Sequence, residues 1–412
     1  MAAVSGMTRR ELADVAPTSA LPPQRASIAW GGLLTAAVWL LSRFIDSVTW
    51  GPARNPISFN PYLWARWDSA NYLGIAQHGR TFGRCGSPGF PQNSFNNLLH
   101  QTWCGSAGWL PGFPWLTRAV GVTGISLPDA GLLISWLAMG AAFFLVWFGW
   151  GRDIPQGRAF ALLMLFGVFP GSVYSFAYFP ISLALACIVG ALVAAARERF
   201  FTAAVLMSLA GLCYPSAWFA AAGLAVGLVL AALSLGWTVL IRRVLWGVAG
   251  MSSLLVLGIH DQLAFGHFDA FFIMDSGPGL RARGFPGEDY LRLVFTHHTN
   301  EQRRLGRFGG AVLAVQGVAA LLLVAWAAAS AVGRNRRQDA ARLYPALVGV
   351  AVIIGIMVDA ANGGAWNRSV LLAAPCVVCL RRVPLPVLCV VVVVVGATSA
   401  VISHYFFTYA LV

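Results

Sequence analysis

Long apolar runs, each about the length needed to cross a bilayer, alternate with short polar connectors along nearly the whole chain. The runs fall at about residues 28–48, 130–150, 158–178, 180–196, 201–216, 217–236, 244–262, 309–332, 343–360, 366–380 and 384–405. An apolar stretch near 20 residues is the length of a membrane-crossing helix. The pattern therefore predicts an all-α polytopic membrane protein of about eleven transmembrane helices. The connectors sort by charge. Arg152 and Arg158, Arg197 and Arg199, Arg242 and Arg243, the group Arg334, Arg336, Arg337 and Arg342, and Arg381 and Arg382 all fall in alternate connectors. Basic connectors stay in the cytoplasm, so the opposite set faces outward. That set holds two large loops, 49–129 and 263–308, and the shorter 359–367 connector. Residues 1–27 are polar, carry Arg9, Arg10 and Arg25, and lack the charge, apolar-run and small-residue pattern of a cleavable leader. They read as a disordered cytoplasmic tail ahead of a single membrane domain, 28–412.

Composition supports this reading. The 412 residues are 58% hydrophobic and 10% charged, against about 25% charged in ordinary soluble domains. All 28 cations are Arg, which together with a net charge of +13 would suggest nucleic acid in a soluble protein. Here the cations are spread over connectors, so no nucleic-acid partner is expected. Cys187, Cys213, Cys376, Cys379 and Cys389 lie in apolar runs and act as small hydrophobes. Cys85 and Cys104 lie in the first outer loop, where an exported disulfide is the expected pairing.

The stretch Ala65-Arg66-Trp67-Asp68-Ser69-Ala70-Asn71-Tyr72-Leu73-Gly74-Ile75-Ala76-Gln77-His78-Gly79 carries the most chemistry. Tyr72, Ile75 and Ala76 share one helical face with Asp68, which predicts a short amphipathic helix at the membrane surface. Asp68 is then either a functional carboxylate or the cap of that helix. The second outer loop adds His267, Asp269, Asp275, Arg281, Arg283, Glu288, Asp289, Arg292, His297, His298 and Arg303. Loops this long are uncommon unless functional. No helix-spaced His pair is present, and no metal is expected. Neither a phosphate-binding G-x-x-x-x-G-K-[ST] loop nor a G-x-G-x-x-G turn occurs, which argues against ATP or a nucleotide sugar; no cofactor is expected.

Arg66-Trp67-Asp68-Ser69-x-x-Tyr72-x-x-Ile75-Ala76-x-x-Gly79 resembles the first luminal-loop motif of the GPI mannosyltransferase II (PIG-V) family and its bacterial relatives, membrane glycosyltransferases of the GT-C class. Leu110-Pro111-Gly112-Phe113-Pro114 is similar to a second family element, and Arg368-x-x-x-x-x-x-Pro375 to a third. Two positions depart. Tyr178-Phe179-Pro180 stands where the family has an acid after a Tyr, and Cys213-Tyr214-Pro215 where it has Thr-Arg-Pro.

The resemblance implies a GT-C-like bundle in the bacterial plasma membrane with its active site on the extracytoplasmic face. It implies inverting transfer of mannose from polyprenyl-phosphate-mannose to a glycolipid or cell-envelope glycan. Asp68 is then the catalytic base, and Arg368, with Arg281 and Arg283 by location, the donor-phosphate ligands. Arg66, Trp67, Asn71, Tyr72 and His78 become substrate-binding candidates. A lipid or glycan transporter or flippase, and a catalytically inactive scaffold subunit, are the competing readings.

Overall fold

The computed structural model describes residues 27–48, 61–66, 68–90, 102–275, 291, 295, 300–332, 340–359 and 363–408. The N-terminal tail expected over 1–26, Trp67, Arg281 and Arg283 lie outside the described residues.

The run at 158–178 is α-helical only to Gly167 and then passes into turns and a short 3₁₀ stretch, Ser172–Ser175, while the other apolar runs are largely helical. In order the helices are α1 (Ile28–Val48), the outer-loop helices α2 (Ser69–His78) and α3 (Gly112–Gly121), α4 (Leu127–Val146) and α5 (Gln156–Gly167). They continue with α6 (Ile181–Ala196), α7 (Phe200–Cys213), α8 (Ala217–Ala232), α9 (Trp237–Ala249), α10 (Ser253–Phe265), α11 (Asn300–Val332), α12 (Ala340–Asp359), α13 (Gly363–Ser369) and α14 (Leu385–Phe407). Between α13 and α14 the chain runs as a 13-residue 3₁₀-helix, Val370–Arg382.

Five lengths among the described residues are long and apolar enough to cross a membrane alone: Ile28–Ser47, Leu127–Gly151, Trp237–Phe265, Leu305–Ala331 and Leu385–Phe407. The other apolar helices are shorter, α6, α7 and α8 among them. Eleven full spans is therefore a count that these lengths do not establish. Leu33, Leu137, Leu245, Leu255, Leu322 and Val390 point outward from their helices. Apolar side chains exposed on this scale suit contact with lipid rather than water, and the chain is an integral membrane protein.

The interior is organised around the 3₁₀-helix, in which every residue from Val370 to Leu380 is buried. A helix apolar on all sides has no face to give to solvent. Here α12, α11, α5 and α6 pack round it, α14 closes on α5 and α1, and α6 lies between α4 and α7.

Contacts sort the connectors into two ends. At one end, Arg243 reaches Glu198 at 3.7 Å, joining two connectors that the charge pattern assigns to the cytoplasm. The structure corrects one detail there: Arg242 and Arg243 lie inside α9, a turn past its start at Trp237, rather than in a loop. At the other end, the Tyr178 amide donates to the Trp64 carbonyl at 3.0 Å, and Tyr214 meets Ser369.

The first outer loop is a small braced unit. Strands β1 (Phe82–Arg84) and β2 (Trp103–Gly105) pair antiparallel, with Gly83 opposite Cys104. Phe82 and Trp103 stack at 4.6 Å, and His267 packs edge-on against both. Cys85 and Cys104 are disulfide-bonded, closing a separation of 19 residues. Below the hairpin, Arg80 is buried against Asp261 of α10, bonds the Ala107 carbonyl, and places its second nitrogen 3.3 Å from Asp261 Oδ2. The same carboxylate accepts from the Phe271 amide at 3.2 Å and lies 3.0 Å from His260 Nδ1. One buried acid thus ties the first outer loop to the second.

Candidate active site

Helix α2 forms where the spacing predicts it, and Ser69, Tyr72, Ile75 and Ala76 make its buried face. That face turns onto protein: α2 packs on α3 and α4. The Tyr72 ring meets Phe113 edge-on at 6.1 Å and Phe179 at 5.9 Å. Its start is pinned by a relay, in which the Arg66 amide donates to Ser69 Oγ at 3.0 Å and Ser69 donates to the Tyr178 carbonyl at 2.9 Å.

Asp68 stands at the cap position, yet its side chain makes no capping hydrogen bond. It reaches instead across the molecule, placing Oδ2 2.6 Å from an Arg368 guanidinium nitrogen. Of the two readings open in the sequence, the geometry removes the cap. The two residues are 300 positions apart (368 − 68), and the ion pair joins the first outer loop to the root of the 3₁₀-helix. Neither is sealed away: side-chain exposure is 25% for Asp68 and 16% for Arg368. A charge-assisted contact of this length is among the stronger polar interactions available.

An aromatic shell holds the pair. The Arg368 guanidinium lies 5.5 Å from the Phe179 ring centroid, within range of a cation–π contact. Tyr174 packs edge-on against Phe179 at 5.5 Å and against Phe406 of α14 at 5.4 Å. Next to Arg368, Ser369 Oγ lies 3.0 Å from the Tyr214 hydroxyl. Burial pushes the Tyr72 hydroxyl well above its ordinary pKa, helped by the negative charge of Asp68, with Arg368 opposing. Tyr72 therefore stays neutral beside the carboxylate.

Gly171 lets the chain come this close. Its φ is +86°, and a Cβ there would lie 2.1 Å from the Asn367 carbonyl oxygen. Only glycine meets both demands without strain. The turn before Tyr174 can thus lie directly on the backbone that carries Arg368.

A second carboxylate sits deeper. Asp46 of α1 is buried and accepts from Ser172 Oγ at 3.1 Å and Ser403 Oγ at 3.0 Å, joining α1 and α14 to the short 3₁₀ stretch Ser172–Ser175 that carries Tyr174.

The remaining candidates divide. Arg66 is buried and donates toward the Phe407 carbonyl at 3.5 Å, so it ties α14 to the loop. Tyr72 keeps its place at the site but offers no open ring face for sugar stacking, being 4% exposed. Asn71 is half-buried on α2, and His78 is exposed at its far end. His267 of the second outer loop packs edge-on against Phe82 and Trp103. The described residues bring no three His, Cys, Asp or Glu side chains together as a metal site.

Sequence reasoning missed Tyr174, Ser369 and Asp46. It flagged Phe179 and Tyr214 only as departures from the family pattern. Those departures fall on the shell of the ion pair, which is the signal that could have found them.

No protein-family model and no curated protein sequence matches this chain. Among solved structures, a crystal structure of ArnT from Cupriavidus metallidurans bound to undecaprenyl phosphate superposes with a TM-score of 0.52 at 14% identity. The alignment covers 87% of this chain and 61% of ArnT, so the chain spans about three-fifths of that protein's length. The fold of this chain is therefore similar to that of ArnT.

Proposed function

We propose that this protein is a GT-C membrane glycosyltransferase that moves a sugar from a polyprenyl-phosphate donor to a hydroxyl on the extracytoplasmic side of the membrane. The sugar is mannose, as the first-loop motif suggests, and the acceptor a glycolipid or envelope glycan. One observation carries the reading. The acid and the guanidinium that the resemblance assigns to the two halves of the reaction, Asp68 and Arg368, come from opposite ends of the chain, touch at 2.6 Å and remain partly open to a ligand. The undecaprenyl phosphate bound by ArnT supports a lipid phosphate as the group Arg368 would meet.

The chemistry needs few parts. The acceptor oxygen attacks the anomeric carbon of the donor from the face opposite the phosphate. Asp68 takes the hydroxyl proton as that bond forms. The bond between the anomeric carbon and the phosphate oxygen breaks, and its electron pair leaves with the polyprenyl phosphate. The negative charge grows on the phosphate oxygens, for which Arg368 exchanges its contact with Asp68, leaving the carboxylate free to take the proton; the Arg368 fork suits a phosphate better than a Lys would. A β-linked donor thereby gives an α-linked product in a single inverting displacement. Neutral Tyr72 and the Tyr214–Ser369 contact hold the walls of the site and carry no charge into it.

The test is reconstitution of the purified chain in liposomes with polyprenyl-phosphate-mannose and extracted envelope glycolipids. Transfer of labelled mannose to a glycolipid is expected. Lipid translocation without transfer would make the protein a flippase, and neither activity would make it a scaffold.

A further inference from the structure

At the opposite end of the bundle, the turn after α6 and the turn after α4 enclose a cavity of about 290 Å³, lined by Phe148, Trp150, Arg152, Asp153, Val193 and Arg197 among others. The Arg197 guanidinium lies 4.1 Å over the Phe148 ring and donates to the Phe148 carbonyl at 3.4 Å, while Arg152 lies 5.9 Å from the same ring. Burial and the like charges of Arg199 and Arg152 hold the Arg197 pKa below its ordinary value. Arg152 and Arg197 thus share one aromatic ring at the mouth of this cavity. Among the described residues Asp153 is the single carboxylate in this lining, and Glu198 is turned to Arg243. The cluster keeps a positive excess.

Val193 and Arg197 also line a second cavity, about 350 Å³, which runs up between α4, α6 and α7 past Leu145, Ala186, Cys187, Gly190 and Leu206, with Arg199 at its rim. Leu145, Ala186, Cys187 and Leu206 are each half-buried, so this groove opens sideways to the surroundings of the bundle. Gly190 keeps it open, because a Cβ there would stand 3.1 Å from Leu206. A basic pocket that continues into a lateral apolar groove matches one kind of molecule.

We propose that the two cavities form one site for an anionic glycerophospholipid of the adjoining leaflet, its phosphate held by Arg152, Arg197 and Arg199 and one acyl chain laid along the groove. A guanidinium cluster suits a phosphate diester by bidentate bonding. Basic residues beside a membrane draw anionic lipid from the bilayer. A soluble anion would satisfy the guanidiniums but leave the groove unused. The site lies at the far end of the bundle from Asp68, so it stands or falls separately from the transfer reaction.

The experiment takes the full chain from nanodiscs of phosphatidylcholine doped with phosphatidylglycerol and weighs retained lipid by native mass spectrometry. Preferential retention of phosphatidylglycerol is expected. The preference should fall roughly tenfold or more in the Arg197→Gln/Arg199→Gln double variant, and less in Arg197→Lys/Arg199→Lys, which keeps the charge but loses the fork. Two independent groove fillers, Ala186→Phe and Leu206→Trp, should lower it as well. Both Arg side chains are exposed, although replacing Arg197 gives up its contact with Phe148, and an unchanged thermal midpoint in pure phosphatidylcholine checks that the fold is kept. A preference that survives the Gln pair overturns the proposal. So does one that both groove fillers leave untouched, which would mean a headgroup attracted to the surface only. Inorganic phosphate raising the thermal midpoint as far as phosphatidylglycerol does would make this a free-anion site and equally overturn the assignment.

Discussion

Asp68 and Arg368 make opposite demands on mutagenesis, because each is the other's counter-charge. Asp68→Asn retains shape and one acceptor oxygen but cannot take a proton. Loss of a general base costs about 10²–10⁴-fold in rate. The expected result is a folded, inserted protein whose turnover with polyprenyl-phosphate-mannose falls by that factor; turnover like the wild type would end the general-base assignment. Arg368→Lys keeps the charge and loses the fork, so its main effect is expected as a raised KM for the lipid donor. Arg368→Ala also strands the Asp68 carboxylate in a partly buried position, and both kcat and stability should drop. An unchanged KM for the donor in both Arg368 variants would remove the phosphate-binding role. Both residues stood out in the sequence, but their contact did not. Nothing along a chain reports that residues 300 positions apart will meet at 2.6 Å, since that depends on how α2 and the 3₁₀-helix pack.

Among the elements, the braced outer loop follows directly on α2 and is anchored to α10 through Arg80 and Asp261. The Cys85–Cys104 bond was readable from the isolation of both thiols in an exported loop. Peptide mass mapping without reduction is expected to recover them joined, and two free thiols would refute the pairing. The Arg80–Asp261 pair was invisible, because Arg80 reads as a loop charge and Asp261 as a stray acid in an apolar run. Their side chains are 1% and 0% exposed. Removing one partner of a buried pair leaves an uncompensated charge and costs about 3–5 kcal/mol. Asp261→Asn should therefore lower the thermal midpoint of the detergent-solubilised protein clearly. A midpoint equal to the wild type would show that the pair adds no stability. Helix α2 was legible in existence and buried face, because the 3.6-residue spacing of Tyr72, Ile75 and Ala76 states both. Its partner was not: the same apolar face suits lipid or Phe113 and Phe179 equally well.

For the whole molecule, hydropathy and the alternation of Arg-bearing connectors made the helical membrane architecture legible. They could not reveal that several helices are too short to cross on their own, or that Arg243 lies within α9. The charge pattern makes a direct prediction about sidedness. In intact cells carrying the protein, Ser87→Cys should react with an impermeant maleimide and Glu198→Cys should not. The reverse pattern would invert the topology.

The 3₁₀-helix has a dimensional consequence. At about 2.0 Å per residue, its 13 residues reach about 26 Å, where an α-helix of the same number would reach about 20 Å. A hydrocarbon layer is about 30 Å thick, so the stretched winding nearly spans it with few residues. It holds Arg368 near one boundary, with Arg381 and Arg382 near the other. The segment works as a ruler fixed at both ends by cations that resist being drawn into lipid. One alanine inserted after Val377 should both lengthen it and turn Arg368 by about a third of a revolution. The guanidinium would then swing away from Asp68, and transfer should be lost although every residue of the site is still present.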